Sequence, residues 1–213
     1  MYKGLLCDLD GTLADSEPLH CRAWLALLDE DYGQSYDDHW FEQWVGTSDR
    51  VVAEWLLERH AWPKSVDELI GQKQERFHAA VRAEASAFSG VPEMLERIGK
   101  RFPLAIATNS GRADADLMIA CTRLDRFTSV SVTASDVEHM KPEPDIYLLA
   151  AERLGLPAAS CIAIEDSGPG GVAAKAAGCY LIGLTDKVTN ADEFAATNAG
   201  ALERAYDLLA AGE

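Results

Sequence analysis

Two carboxylates spaced i and i+2, Asp8 and Asp10, close an apolar run and precede a glycine in Lys3-Gly4-Leu5-Leu6-Cys7-Asp8-Leu9-Asp10-Gly11-Thr12-Leu13. Such a run predicts a strand buried on both faces. Side chains two apart on a strand point the same way, roughly 6.5–7 Å apart, so the pair lies side by side where water is scarce. Like charges there resist ionisation unless a cation or hydrogen-bond donors compensate, and the arrangement asks for a metal. Gly11 permits a sharp turn after the strand, and the Thr12 hydroxyl can return to it.

Further polar groups stand after other apolar runs. Thr108-Asn109-Ser110-Gly111 follows Leu104–Ala107, Lys141-Pro142 follows a run at 129–133 and a short loop, and Glu165-Asp166-Ser167-Gly168 follows Cys161–Ile164. From Phe88 onward short apolar runs alternate with helical periodicity: helices over 91–100, 112–120, 145–154, 170–177 and near 202–210, with strands over 104–107, 129–133, 161–164 and 180–184. That alternation predicts a parallel sheet covered by helices, to which the first strand belongs. Ligands of open α/β sheets sit outside the carboxyl ends of the strands, so one rim collects these groups. The fifth strand end, Leu184-Thr185-Asp186, carries no comparable signal, and the Ala-rich 195–201 reads as a helix end and turn.

Between Ser16 and about Ala87 no strand is predicted. Leu19, Ala23, Trp24, Leu27 and Leu28 line one helix face, and further helices are expected over 36–44, 48–59 and 66–81. All five tryptophans, Trp24, Trp40, Trp44, Trp55 and Trp62, fall here, as packing of a small helical bundle requires. The expected organisation is an α/β core of residues 1–14 and 88–213 interrupted by a helical domain of residues 15–87.

The chain of 213 residues carries 19 Lys and Arg against 35 Asp and Glu, a net charge of −16. That balance opposes general attraction to nucleic acid or anionic membranes, so an anionic substrate must be held by a metal and a few placed basic residues. Five cysteines without a C-x-x-C pair fit a reducing compartment. With no signal-peptide pattern and no apolar run of spanning length, a cytoplasmic protein is expected, with no nucleic-acid or membrane partner.

These motifs resemble the haloacid dehalogenase superfamily, and within it the small sugar-phosphate phosphatases and β-phosphoglucomutase-like enzymes. Asp8-Leu9-Asp10-Gly11-Thr12-Leu13 matches the first motif, Thr108 with Asn109 and Ser110 the second, Lys141 the third, and Glu165-Asp166 the fourth; the helical insertion resembles the cap domain. The implied fold is a Rossmann-like α/β core with an inserted all-helical cap. The implied metal is Mg²⁺, held by Asp8, Asp166 and the main-chain carbonyl of Asp10, with Glu165 sharing the role or acting through water. Asp8 would be the nucleophile, Asp10 the general acid/base and Lys141 the counter-charge. Thr108, Asn109 and Ser110 would cradle the phosphate.

A cap loop at Val45-Gly46-Thr47-Ser48-Asp49-Arg50 and His20 on the first cap helix would recognise the substrate, Arg50 by holding an anion. The hinges would lie near 14–15 and 88–90. The implied partner is a small phosphorylated metabolite and the implied state a monomer or weak homo-oligomer. Two other activities stay open: a phosphomutase, if Arg112 or Arg50 grips a second phosphate in place of the basic residue that Gly111 replaces, and a binding protein that has lost turnover. A dehalogenase is disfavoured, since relatives that cleave carbon–halogen bonds lack an acid at the Asp10 position.

Overall fold

In the computed structural model, which describes residues 1–45 and 47–211, the chain divides into two compact units, residues 1–15 with 86–213 and residues 16–85. The larger is built on six parallel strands, β1 (Gly4–Cys7), β2 (Leu104–Ala107), β3 (Ser131–Val132), β4 (Cys161–Glu165), β5 (Tyr180–Gly183) and β6 (Glu193–Phe194), in the order β3-β2-β1-β4-β5-β6. This is the expected Rossmann-like α/β core. Every residue of β1, β2 and β4 is buried, which is why these strands read as continuous apolar runs.

Helices α5 (Val91–Gly99), α6 (Arg112–Cys121), α7 (Asp145–Arg153) and α8 (Gly168–Ala176) lie between the strands, and α9 (Asn198–Ala210) follows the last of them. Leu6, Ala105, Ala107, Val132 and Leu181 share one apolar cluster with Ile146, Tyr147 and Ala150 of α7 and Ala173 of α8. Asp15, Ser86 and Ala87, placed in the helical insertion from sequence, belong to the α/β unit: the Asp15 N–H donates to the Ser86 carbonyl at 3.1 Å and Ala14 bridges Ala87.

The smaller unit holds α1 (Glu17–Tyr32), α2 (Asp38–Glu42), α3 (Asp49–His60) and α4 (Val66–Glu84). The Ser65 hydroxyl accepts from the Glu68 N–H while the Glu68 carboxylate accepts from the Ser65 N–H, a reciprocal cap that fixes the start of α4. Trp24 is completely buried among Leu27, Leu28, Leu56 and Leu69. The other four tryptophans pack against that cluster.

Three local expectations are corrected. The first strand ends at Cys7 rather than running through Asp10. Helix α2 is shorter than predicted, because the Asp37 side chain accepts from the Trp40 N–H and starts the helix there. The Ala-rich 195–201 contains the beginning of α9, capped by Thr197 through the Gly200 N–H. Among the described residues no helix is long and apolar enough to cross a membrane.

Candidate active site

Strand register explains why distant residues meet. Cys7 pairs with Ile106 of β2 on one side and Ile164 of β4 on the other, so the next residues, Asp8, Ala107 and Glu165, stand side by side at one rim. Asp8 is 7% exposed and Glu165 wholly buried. Carboxylate oxygens of Asp8, Glu165 and Asp166 lie within 4.8 Å of one another.

One cation, Lys141, is buried with them. Its ammonium donates to Asp8 Oδ1 at 2.6 Å, Glu165 Oε1 at 2.5 Å and the Ala107 carbonyl at 2.7 Å. An ammonium has three N–H groups, and all three are committed to the protein. Burial works against the Lys141 charge, but the adjacent Asp8 and Glu165 carboxylates outweigh it and hold the pKa above the ordinary lysine range. Asp8 goes the other way from an ordinary ion-paired acid. Burial raises its pKa well above the carboxylate range; Lys141 opposes this, and the charges of Glu165, Asp166 and Asp10 add to it. Asp166 is pushed up to about 6, by burial first and by Glu165 next. Three carboxylates with one ammonium leave a surplus of negative charge that an oxygen-seeking divalent cation fits.

Glu165 serves mainly to fix the others. Its Oε1 also accepts from the Tyr147 hydroxyl at 2.7 Å, and its Oε2 from the Ser167 hydroxyl at 3.0 Å. Gly170 is required by this packing, since a Cβ there would collide with the Glu165 carboxylate. Gly11 has φ +77°, and a Cβ there would strike Asp166.

Because β1 stops at Cys7, strand spacing does not set the relation of Asp8 to Asp10. The chain turns at once, with the Leu13 and Ala14 N–H groups both donating to the Leu9 carbonyl. The Asp10 carboxylate thereby meets the second motif: Oδ2 accepts from Ser110 Oγ at 2.6 Å and Thr108 Oγ1 at 3.4 Å. Asp10 lies outside the acidic cluster through its side chain, leaving its main-chain carbonyl as the group the resemblance assigns to a metal. Asn109 faces elsewhere, toward the Lys141 backbone.

Sequence reasoning missed several supports. The Asn198 amide donates to the Gly11 carbonyl at 3.0 Å and the Thr12 carbonyl at 2.9 Å, holding the first turn from the start of α9. Thr185 Oγ1 donates to the Asp166 carbonyl at 2.5 Å, so the fifth strand end contributes after all. Only an Asn at a helix start and a Thr after a strand signalled them.

The helical unit treats its candidates differently. His20 Nδ1 lies 2.6 Å from Lys73 Nζ, and its ring stacks on Phe77 at 4.1 Å between centroids. Arg50 pairs with Asp67 at 2.7 Å on an exposed face. Gly46 of the predicted recognition loop lies outside the described residues. Arg112 does not offer a free grip: its guanidinium binds Asp116, Ser131 and Asp136.

The profile described as haloacid dehalogenase-like hydrolase matches residues 5–184. The chain belongs to that family. Fructose-1-phosphate phosphatase YqaB of Escherichia coli (strain K12) is 32% identical over 177 residues, covering 83% of this chain and 93% of its own. The crystal structure of CbbY from Rhodobacter sphaeroides in complex with phosphate superposes with a TM-score of 0.79 at 26% identity, over 93% of this chain and 96% of that one. A family hydrolase from Deinococcus radiodurans R1, with bound phosphate and sodium, gives 0.78 at 29% identity over 99% and 96%. The expected family, fold and hydrolase class are met.

Proposed function

We propose that this chain is a Mg²⁺-dependent phosphatase of small phosphorylated metabolites, of sugar-phosphate type, working through an aspartyl-phosphate on Asp8. The observation that carries this reading is the surplus-negative cluster of Asp8, Glu165 and Asp166 beside a fourth carboxylate, Asp10, that meets two hydroxyls. The similarity to YqaB and to the phosphate-bound CbbY supports the substrate class.

Phosphate-ester hydrolysis rewards positioning and charge neutralisation. Thr108 and Ser110, just before α6, supply hydroxyls to the phosphoryl oxygens, with N–H groups of the helix start adding to them. An Asp8 carboxylate oxygen attacks phosphorus while Asp10 gives its proton to the leaving alcohol oxygen. Water then attacks the same phosphorus, Asp10 takes the water proton, and the phosphorus–Asp8 bond breaks to release phosphate. Mg²⁺, held by Asp8, Asp166 and the Asp10 main-chain carbonyl, would neutralise charge between the carboxylates and the phosphoryl group. Glu165, bound by Lys141, Tyr147 and Ser167, supports this set from behind.

The helical unit is proposed to act as a cap that selects the alcohol, with His20 and Arg50 as its candidate contacts. A phosphomutase would need a basic grip for a second phosphate, and the engagement of Arg112 with Asp136 and Ser131 favours the phosphatase. The five cysteines are unpaired, which supports a cytoplasmic setting; a monomer or weak homo-oligomer is proposed with it. Purified protein with Mg²⁺ and a generic phosphate ester should release phosphate, and a chelator should stop the release until Mg²⁺ is restored. Asp8→Asn should lower kcat on the order of 10³-fold or more. Turnover that survives Asp8→Asn would remove Asp8 as nucleophile. Scoring sugar phosphates for free phosphate and for isomerised product separates hydrolase from mutase.

A further inference from the structure

The residues that leave β2 contact two partners in turn. Going outward, residues alternate in what they touch: the Ala107 carbonyl accepts from the Lys141 ammonium, Thr108 meets Asp10, Asn109 meets Lys141 again, and Ser110 meets Asp10. The even positions carry the phosphate hydroxyls and the odd positions hold the lysine. Asn109 reads the Lys141 peptide with both ends of its amide, Nδ2 donating to the Lys141 carbonyl at 3.1 Å and Oδ1 accepting from the Lys141 N–H at 2.9 Å. Lys141 is thus fixed at its backbone by Asn109 and at its ammonium by Ala107, two residues away on the same strand end.

The segment that brings Lys141 there is anchored upstream as well. Asp136 accepts from the Thr133 N–H at 2.8 Å and from the guanidinium groups of Arg112 and Arg153. The Ala134 N–H donates to the Ser110 carbonyl at 3.2 Å. Between that anchor and Lys141 the chain runs through Val137–Met140, where His139 Nδ1 lies 3.1 Å from Asp145 Oδ2, and Asn109 ties the Lys141 peptide itself.

We infer that Asn109 is a positioning residue for Lys141 and not a ligand of the substrate phosphate, the part the sequence motif suggests for it. This rests on the proposed function above. Because the Lys141 ammonium donates to Asp8, Glu165 and the Ala107 carbonyl, it aims Asp8. Loosening the Lys141 backbone therefore alters the aim of the nucleophile, while Thr108, Ser110 and the cation, the groups proposed to hold phosphate, are left in place.

The test is Asn109→Ala, with kcat and KM for a generic phosphate ester in Mg²⁺, competitive inhibition by inorganic phosphate, and hydrogen exchange of the peptide spanning 138–144. A nucleophile displaced by a fraction of an ångström should lose about 10- to 100-fold in kcat. The inhibition constant for phosphate should stay within about twofold, and the 138–144 peptide should exchange faster than in the wild type. An unchanged kcat, or phosphate inhibition weakened tenfold with kcat retained, would overturn the assignment; the second result would restore Asn109 as a phosphate ligand. If the wild type hydrolyses no ester at all, the proposed function fails, and the exchange measurement still decides the clamp: unchanged exchange in Asn109→Ala overturns it.

Discussion

Each unit of this protein buries one lysine against carboxylate, and the two lysines behave as opposites. In the helical unit Lys73 is fully buried, donates to Asp49 Oδ2 at 2.7 Å, lies 2.6 Å from His20 Nδ1 and sits 4.6 Å from the centroid of the Phe77 ring. Asp49 also accepts from the Trp24 indole at 3.0 Å, and its side chain keeps 26% exposure. Burial works against its ionisation, but Lys73, His20 and Trp24 overcome it and hold its pKa below the ordinary range. In the α/β unit Lys141 faces two buried carboxylates with a third close by, and Asp8 is raised. Burial is common to both sites. The local charge count separates them: one cation per anion makes a structural tie, and one cation among three anions leaves work for a metal and a phosphate.

The sharpest way to break this contrast is a matched pair of substitutions. Lys141→Met strands Asp8 and Glu165 without water and should cost about 3–5 kcal/mol in denaturant unfolding. Lys73→Met leaves Asp49 partly solvated and should cost less, about 1–3 kcal/mol. Equal costs would show that the partial exposure of Asp49 does not soften the loss of its cation.

A finer comparison uses pH. In chelator-treated protein the Asp166 pKa of about 6 exceeds the unfolded value of roughly 3.9. The folded form therefore holds this proton more tightly. The stability it contributes is fully present below about pH 4 and is lost as pH rises through about 6. Asp49, with its pKa depressed, contributes stability that is present above the ordinary carboxylate range and lost as pH falls below that range through its lowered folded pKa. Melting temperature against pH should thus differ from wild type with opposite slopes in Asp166→Asn and Asp49→Asn. Slopes of the same sign would dissolve the distinction. The smallest effect belongs to Arg50. Its exposed pair with Asp67 should contribute no more than about 0.5 kcal/mol, so Arg50→Ala should leave unfolding nearly unchanged. A tenfold loss of kcat/KM in that variant would mark Arg50 as a substrate contact.

The sheet and its rim were legible because buried parallel strands announce themselves as apolar runs, and the residues after them are polar with few structural excuses. Asp8, Glu165 and Asp166 could be found that way, and Lys141 by its place in the third motif of the resemblance. What stayed hidden depends on proximity that no local pattern encodes. Asn198 reaches a turn 186 residues away in sequence, and Tyr147 looks like any core aromatic until Glu165 is placed beside it. The two-residue strand β6 is too short for periodicity to register, while β3 lies inside the longer strand expected over 129–133. Asn109 misled for the opposite reason: its neighbours on both sides touch Asp10, while its own amide meets the Lys141 peptide, 32 residues away in sequence.

The bridge between Ala14 and Ala87, with the bond from the Asp15 N–H to the Ser86 carbonyl, has a bearing on how such a chain can be rebuilt. The α/β unit brings the two ends of its interruption side by side using its own backbone, so the loop-closure cost of residues 16–85 is met locally. Whatever is spliced between those ends, short linker or different bundle, inherits a ready-made socket, and the rim built by Asp8, Lys141 and Asp166 can be kept while the inserted segment is exchanged.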